Sequence, residues 1–155
     1  MSTAYSFVTE WEIDAPIVPV WEAILHSEHW PQWWPGVLAV TELEAGEPGG
    51  LGNLRRYAFR GRLPYTLVFN TRVSHVVAPH ELDAAAEGDL VGEGRWRLRA
   101  EGARTLVRYE WDVRTTRAWM DWIAPLARPL FTWNHDVIMR WGEQGLRRHL
   151  SAPTS

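Results

Sequence analysis

Tyr5-Ser6-Phe7-Val8-Thr9-Glu10-Trp11-Glu12-Ile13-Asp14-Ala15-Pro16 alternates and then breaks. Tyr5, Phe7, Thr9, Trp11 and Ile13 share one face, while Ser6, Glu10, Glu12 and Asp14 dominate the other. That is the pattern of a half-buried strand. Asp14 near a cap and Pro16 in a first turn then open a helix. Val20, Trp21, Ile24 and Leu25 form its apolar face, and it ends near His26. The segment His29-Trp30-Pro31-Gln32-Trp33-Trp34-Pro35 predicts a second short helix or turn. The chain therefore opens with a strand and two short helices.

Six further strands are expected over 37–44, 51–60, 65–77, 81–87, 92–100 and 104–115. The turns between them are Glu47-Pro48-Gly49-Gly50, Gly61 to Pro64, Pro79-His80, Gly88-Asp89 and Gly102-Ala103. Such short links make consecutive strands antiparallel. The remainder is helical to about Leu150. Pro125 and Pro129 forbid one unbroken helix, so a short helix is expected at 117–124 and a long one after it. On the long helix Ala127, Leu130, Phe131, Asn134, Val137, Ile138 and Trp141 fall on one face. Asp136, Arg140, Glu143 and Arg147 fall opposite. Ser151 to Ser155 is expected to fray. A chain of 155 residues in this order is expected to be one α+β domain. A long helix laid across an antiparallel sheet encloses space between them.

Composition narrows the function. Eleven Trp stand against four Phe and four Tyr. Trp is large and its N–H wants a partner when buried, so some indoles are expected to line a pocket. The net charge of −3 gives no reason to expect nucleic-acid binding. There is no Cys, which excludes thiol nucleophiles and disulfides, and no Lys, which excludes Schiff-base chemistry. The six His are scattered, so no metal site and no cofactor are expected. No G-x-S-x-G elbow is present. The N-terminus shows no signal peptide, and no apolar run approaches the ~20 residues of a membrane span. A cytoplasmic protein without stable membrane insertion is the expectation. Nothing in the sequence sets an oligomeric state.

The order of elements resembles the helix-grip fold of START-type lipid-transfer domains, pollen-allergen proteins and bacterial polyketide cyclase/dehydrase-like proteins. The local likeness lies in Ile13-Asp14-Ala15-Pro16, Val20-Trp21, Trp30 and Trp33-Trp34-Pro35, with the Gly49-Gly50-Leu51-Gly52 turn and the C-terminal helix. It spans roughly residues 5–150. The resemblance implies a curved seven-stranded antiparallel sheet wrapped round a long C-terminal helix, and a cavity between them. It implies no catalytic motif, since only some members are enzymes.

The candidate ligand-binding residues follow from the inward faces. Trp11, Tyr57, Phe59, Phe69, Trp96, Tyr109, Trp111, Ile138 and Trp141 form walls of core or cavity. Arg55 shares the apolar side of its strand, where it could hold a ligand anion or reach solvent at the strand end. Asn134 lies in an apolar stripe, where its amide needs a partner. That partner is a ligand or water in the cavity, or else a strand backbone or indole N–H. His135 lies about 100° further round the helix and reads as a boundary residue with one ring edge in solvent. The row Arg95, Arg97, Arg99 attracts an anionic partner or pairs across strands with Arg108, Glu110 or Asp112 side chains' neighbourhood. The expected function is binding of a hydrophobic small molecule, a lipid, polyketide or other aromatic ligand. Two alternatives stay open. One is a cyclase/aromatase- or dehydratase-like enzyme using Arg55, Tyr109 or His135. The other is a protein-interaction module, which would show an exposed apolar patch.

Overall fold

The computed structural model describes residues 4–151. Strand β1 (Ala4–Ile13) leads into helix α1 (Ile17–Leu25) and a 3₁₀ turn (Ser27–Gln32). Strands β2 (Val37–Glu44), β3 (Leu54–Phe59), β4 (Leu67–Val77), β5 (Glu81–Gly88), β6 (Leu90–Glu101) and β7 (Arg104–Thr115) follow, and helix α2 (Ala118–Ser151) ends the described chain. The seven strands form one antiparallel sheet in the order β1-β7-β6-β5-β4-β3-β2. The first and last strands of the chain's sheet thus pair with each other: Phe7 lies opposite Trp111 and Trp11 opposite Val107. This is the helix-grip arrangement. Of the expected tail at Ser151 to Ser155, Ser151 is still part of α2, and 152–155 lie outside the described residues.

Three differences from the sequence pattern have physical causes. Residues 51–53 form a turn ahead of β3, because Gly50 and Gly52 take φ of 103° and 82°, which a strand does not allow. Helix α2 runs unbroken for 34 residues with Pro125 and Pro129 inside it. Both prolines stand on its exposed side, where carbonyls left without an N–H donor can meet water. Leu130 is 53% exposed and does not join the inward face.

The core explains where the indoles go. Trp11, Trp21, Trp30, Trp33, Trp34, Trp96 and Trp111 are buried. Two of these indole N–H groups find carbonyls: Trp34 Nε1 donates to Ile138 O at 2.8 Å and Trp30 Nε1 to Ala23 O at 3.0 Å, whereas Trp11 Nε1 is buried without a hydrogen bond among the described residues. Helix α2 presses onto this cluster through two glycines. A Cβ on Gly142 would stand 2.5 Å from the Trp34 ring, and one on Gly145 would stand 1.8 Å from the Trp33 carbonyl oxygen. The close approach shuts one end of the space between helix and sheet. At that end Thr105 also donates to Ala15 O at 2.8 Å, tying β7 to the start of α1.

Candidate functional site

Among the described residues one chamber lies between α2 and the sheet, and a second lies between the sheet and the end of α1 with the 3₁₀ turn. The larger has a volume of about 110 Å3 and the smaller about 60 Å3. Trp30, Phe59, Trp96, Tyr109 and Trp111 line both, so they form the partition. The strand rings are packed in sequence across strands. Trp96 and Tyr109 are direct cross-strand partners and stack at 4.0 Å. Tyr109 stacks on Trp111 at 5.8 Å, Phe69 meets Trp111 at 5.6 Å, and Phe59 stacks on Phe69 at 5.5 Å. A wall of this kind is rigid and offers π-faces on both sides.

The structure brings most of the sequence-derived residues to these chambers. Phe59, Trp96, Tyr109, Trp111, Asn134 and Ile138 line the larger. Arg55, Tyr57 and Phe69 line the smaller, together with the shared wall. Trp11 and Trp141 line neither. Trp11 is 3% exposed and meets Trp34 and Trp96 edge-on at 5.3 and 5.6 Å. Trp141 packs on Gly36 and lies under the Arg62 guanidinium at 5.6 Å. Alternation assigns a side of a strand, not a depth along it; Trp11 sits at the end that α1 and the Trp turn fill. The opposite end of the same face carries Tyr5 and Phe7, which do line the larger chamber. Phe131, three residues before Asn134 on the same helix face, lines it too. Both were signalled by the periodicity that marked their neighbours.

The polar candidates differ in what they have left to offer. Arg55 is committed. Its NH1 donates to Leu25 O at 2.8 Å and Ser27 Oγ at 2.7 Å, and its NH2 lies 2.8 Å from Glu28 Oε2. Ser27 in turn shares a 2.6 Å hydrogen bond with the Tyr57 hydroxyl. The guanidinium does not reach solvent; it ties the end of α1 to β3. Asn134 is committed as well. Its Oδ1 accepts from the backbone N–H of Arg62 at 2.7 Å and of Leu63 at 3.1 Å, and its Nδ2 donates to the Tyr65 hydroxyl at 3.3 Å. Two N–H donors fix which amide atom is oxygen. Of the two partners open to it, backbone is the one it has. The row of arginines on β6 is paired: Arg95 with Glu93 and Asp112, Arg97 with Asp83, Arg99 with Glu101.

His135 differs from its expected place. It does not present an edge to solvent. Its ring stacks on Phe7 at 3.9 Å, lines the larger chamber and is only 16% exposed, because β1 curls over that side of α2. Burial lowers its pKa to about 4, against a smaller opposing pull from Asp136. The ring is therefore neutral at pH 7, and its Nδ1 has no hydrogen-bond partner. The Tyr109 hydroxyl makes no hydrogen bond among the described residues. It stands over Gly94, where a Cβ would lie 2.6 Å from its oxygen. Burial raises its pKa, and the neighbouring Tyr57 raises it further. It stays a neutral donor.

A seven-stranded sheet gripping one helix over an aromatic cavity defines the helix-grip class of proteins. Residues 4–150 match the family model for polyketide cyclase/dehydrase and lipid transport proteins, and the chain belongs to that family. No curated protein matches its sequence. Solved structures resemble it in fold. The Zhui aromatase/cyclase from Streptomyces sp. R1128 has a TM-score of 0.76 at 17% identity, covering 97% of this chain and 98% of that one. A START superfamily protein from Mycobacterium smegmatis has a TM-score of 0.75 at 16% identity, covering 93% and 98%. The di-domain ARO/CYC BexL of the BE-7585A pathway has a TM-score of 0.74 at 19% identity. This chain spans about half of that protein, 51% of its length. Among the described residues no helix is long and apolar enough to cross a membrane.

Proposed function

We propose that this protein binds a small, largely aromatic molecule carrying at least one oxygen, in the larger chamber. The observation that carries this is the Tyr109 hydroxyl. It makes no hydrogen bond among the described residues, and its ring belongs to the aromatic wall that lines both chambers. Few polar groups in an apolar cavity are the usual make-up of a ligand site, and a hydroxyl in the cavity wall favours a ligand that can hydrogen-bond to it. Size limits the ligand. A dry cavity of about 150 Å3 takes benzene, so about 110 Å3 suits one ring unless the partition moves. Membership of a family of polyketide cyclase/dehydrase and lipid transport proteins supports an apolar ligand.

The enzymatic reading keeps one observation in its favour: Tyr109 and His135 line the same chamber. Against it, a His with a pKa near 4 is a weak base at neutral pH, and Arg55 is held in ion pairs beside the other chamber. Binding is the better reading. Titrating phenol and toluene against Trp fluorescence and thermal unfolding tests it. Phenol is expected to bind more tightly. Tyr109→Phe is expected to weaken phenol about five- to tenfold, the scale of one neutral hydrogen bond of ~1 kcal/mol, and to leave toluene unchanged. Equal loss for both probes, or no response to either, overturns the assignment.

A further inference from the structure

Helix α2 carries a second apolar face that is largely exposed. Trp122 is 85% and Leu126 89% exposed, and Trp119, Leu130 and Trp133 are 43, 53 and 46% exposed. At 100° per residue these positions fall within one narrow stripe about 21 Å long. Scattered exposed apolar residues need no explanation, but a contiguous stripe does. At roughly 200–250 Å2 for a whole Trp, with less for Leu, the exposed surface is on the order of 600–700 Å2. That exceeds the largest patch of most monomers, about 300–600 Å2, and approaches the ~800 Å2 that each partner buries in a stable complex.

The spacing says what covers it. Trp119 and Trp133 lie seven residues either side of Leu126, and Trp122 and Leu130 lie four either side. The stripe is palindromic about Leu126. A two-fold axis through that residue lays the helix antiparallel on its own copy. Leu126 then meets Leu126, Trp122 meets Leu130 and Trp119 meets Trp133, which is the self-complementarity an isologous interface requires. A bilayer makes no use of such symmetry. It also favours helices with Lys or Arg on the flanks, and residues 118–133 carry only one cation, Arg128. That Arg is engaged, donating to Ala4 O at 2.7 Å and lying over the Tyr5 ring at 4.6 Å.

We infer that this protein pairs with a second copy of itself through the Trp119–Trp133 stripe of α2, across a two-fold axis at Leu126. The surface is continuous with the cavity wall: Trp119 packs edge-on against Tyr65 at 5.7 Å and Phe131 at 6.4 Å, both of which line the larger chamber. Pairing therefore braces the chamber at the start of α2.

Sedimentation velocity from about 1 to 100 µM is the direct test. The wild type is expected to move toward twice 17.9 kDa with concentration. Leu126→Glu brings two carboxylates together at the axis and is expected to weaken association at least about tenfold. Its side chain is already in solvent, and circular dichroism checks its fold. A second arm uses the absence of Cys. Leu126→Cys is expected to form a disulfide-linked dimer under mild oxidation, and Val8→Cys, 56% exposed on the outer face of β1, is not. A wild type that stays monomeric overturns the inference, as does a dimer untouched by Leu126→Glu. Flotation of a monomeric wild type with phosphatidylcholine vesicles, lost in Leu126→Glu, would assign the stripe to a bilayer instead and also overturn it.

Discussion

Asn134 shows how one amide can hold an edge of the cavity through the backbone N–H groups it accepts from. A Cβ on Gly61 would lie 2.3 Å from its Oδ1, so the loop after β3 passes directly over it. Asn134→Leu leaves the N–H groups of Arg62 and Leu63 without their acceptor. Apo stability is expected to fall by about 1–3 kcal/mol, measured as a lower denaturant midpoint. An unchanged midpoint would mean that water replaces the amide. His135 supports a prediction of opposite character. Its pKa is about 4 when folded against 6.5 for the free side chain, so between these values the unfolded chain binds the proton more tightly. The stability it contributes is complete above about pH 6.5 and declines as pH falls toward 4, by roughly 3 kcal/mol at most. His135→Phe keeps the stack on Phe7 and removes the titration. The difference in stability between wild type and variant is expected to change over that window and to be flat above it. Carboxylates common to both proteins cancel in the difference.

Elements were legible where the period was clean and the local chemistry was unopposed. Strand β1 follows from alternation and the antiparallel order from the short links; the helix start after Asp14-Ala15-Pro16 follows too, although Pro16 is itself the N-cap, outside the first turn, and no side chain caps α1. Helix α2 was not fully legible, because proline propensity is local and tertiary packing is not. The loss of one helical hydrogen bond at Pro125 or Pro129 costs about 3 kcal/mol, and an exposed helix side lets water recover part of it. The same blindness misplaced Leu130. Helical spacing near it fits two faces, and only the fold decides which one the sheet covers. Gly142 and Gly145 were a readable signal of another kind. Glycine inside a helix is unfavourable by about 1 kcal/mol against Ala, so two of them three residues apart mark a close approach, here to Trp34 and the Trp33 carbonyl. The site was legible as a set of inward faces, not as a volume. That is why Tyr57, Phe59 and Trp111 reach chambers while Trp11 and Trp141, equally apolar and equally inward by pattern, pack elsewhere.

On the scale of the whole molecule, the partition between the chambers limits what can enter. Trp11, Trp30, Trp33, Trp34 and Trp96 pack against each other and leave little slack, and close-packed interiors do not deform continuously. Phe59 is the member of the wall most open to change. It is half-buried, it lines both chambers, and its neighbours Tyr57 and Phe69 stack on each other without it at 5.7 Å. Phe59→Ala is expected to join the two spaces. Stability should fall by about 3 kcal/mol, the low end for Phe→Ala, because the ring is not fully buried. Binding should move the other way for bulky probes. Naphthol gains a chamber it could not enter, while phenol loses a ring face and binds no better than before. The measurement is the thermal shift of each probe on wild type and variant at matched concentrations. A switch in preference from phenol to naphthol is the expected outcome. Equal losses for both would mean that the chambers stay separate without Phe59, with the division set by the Trp96–Tyr109 stack at 4.0 Å alone.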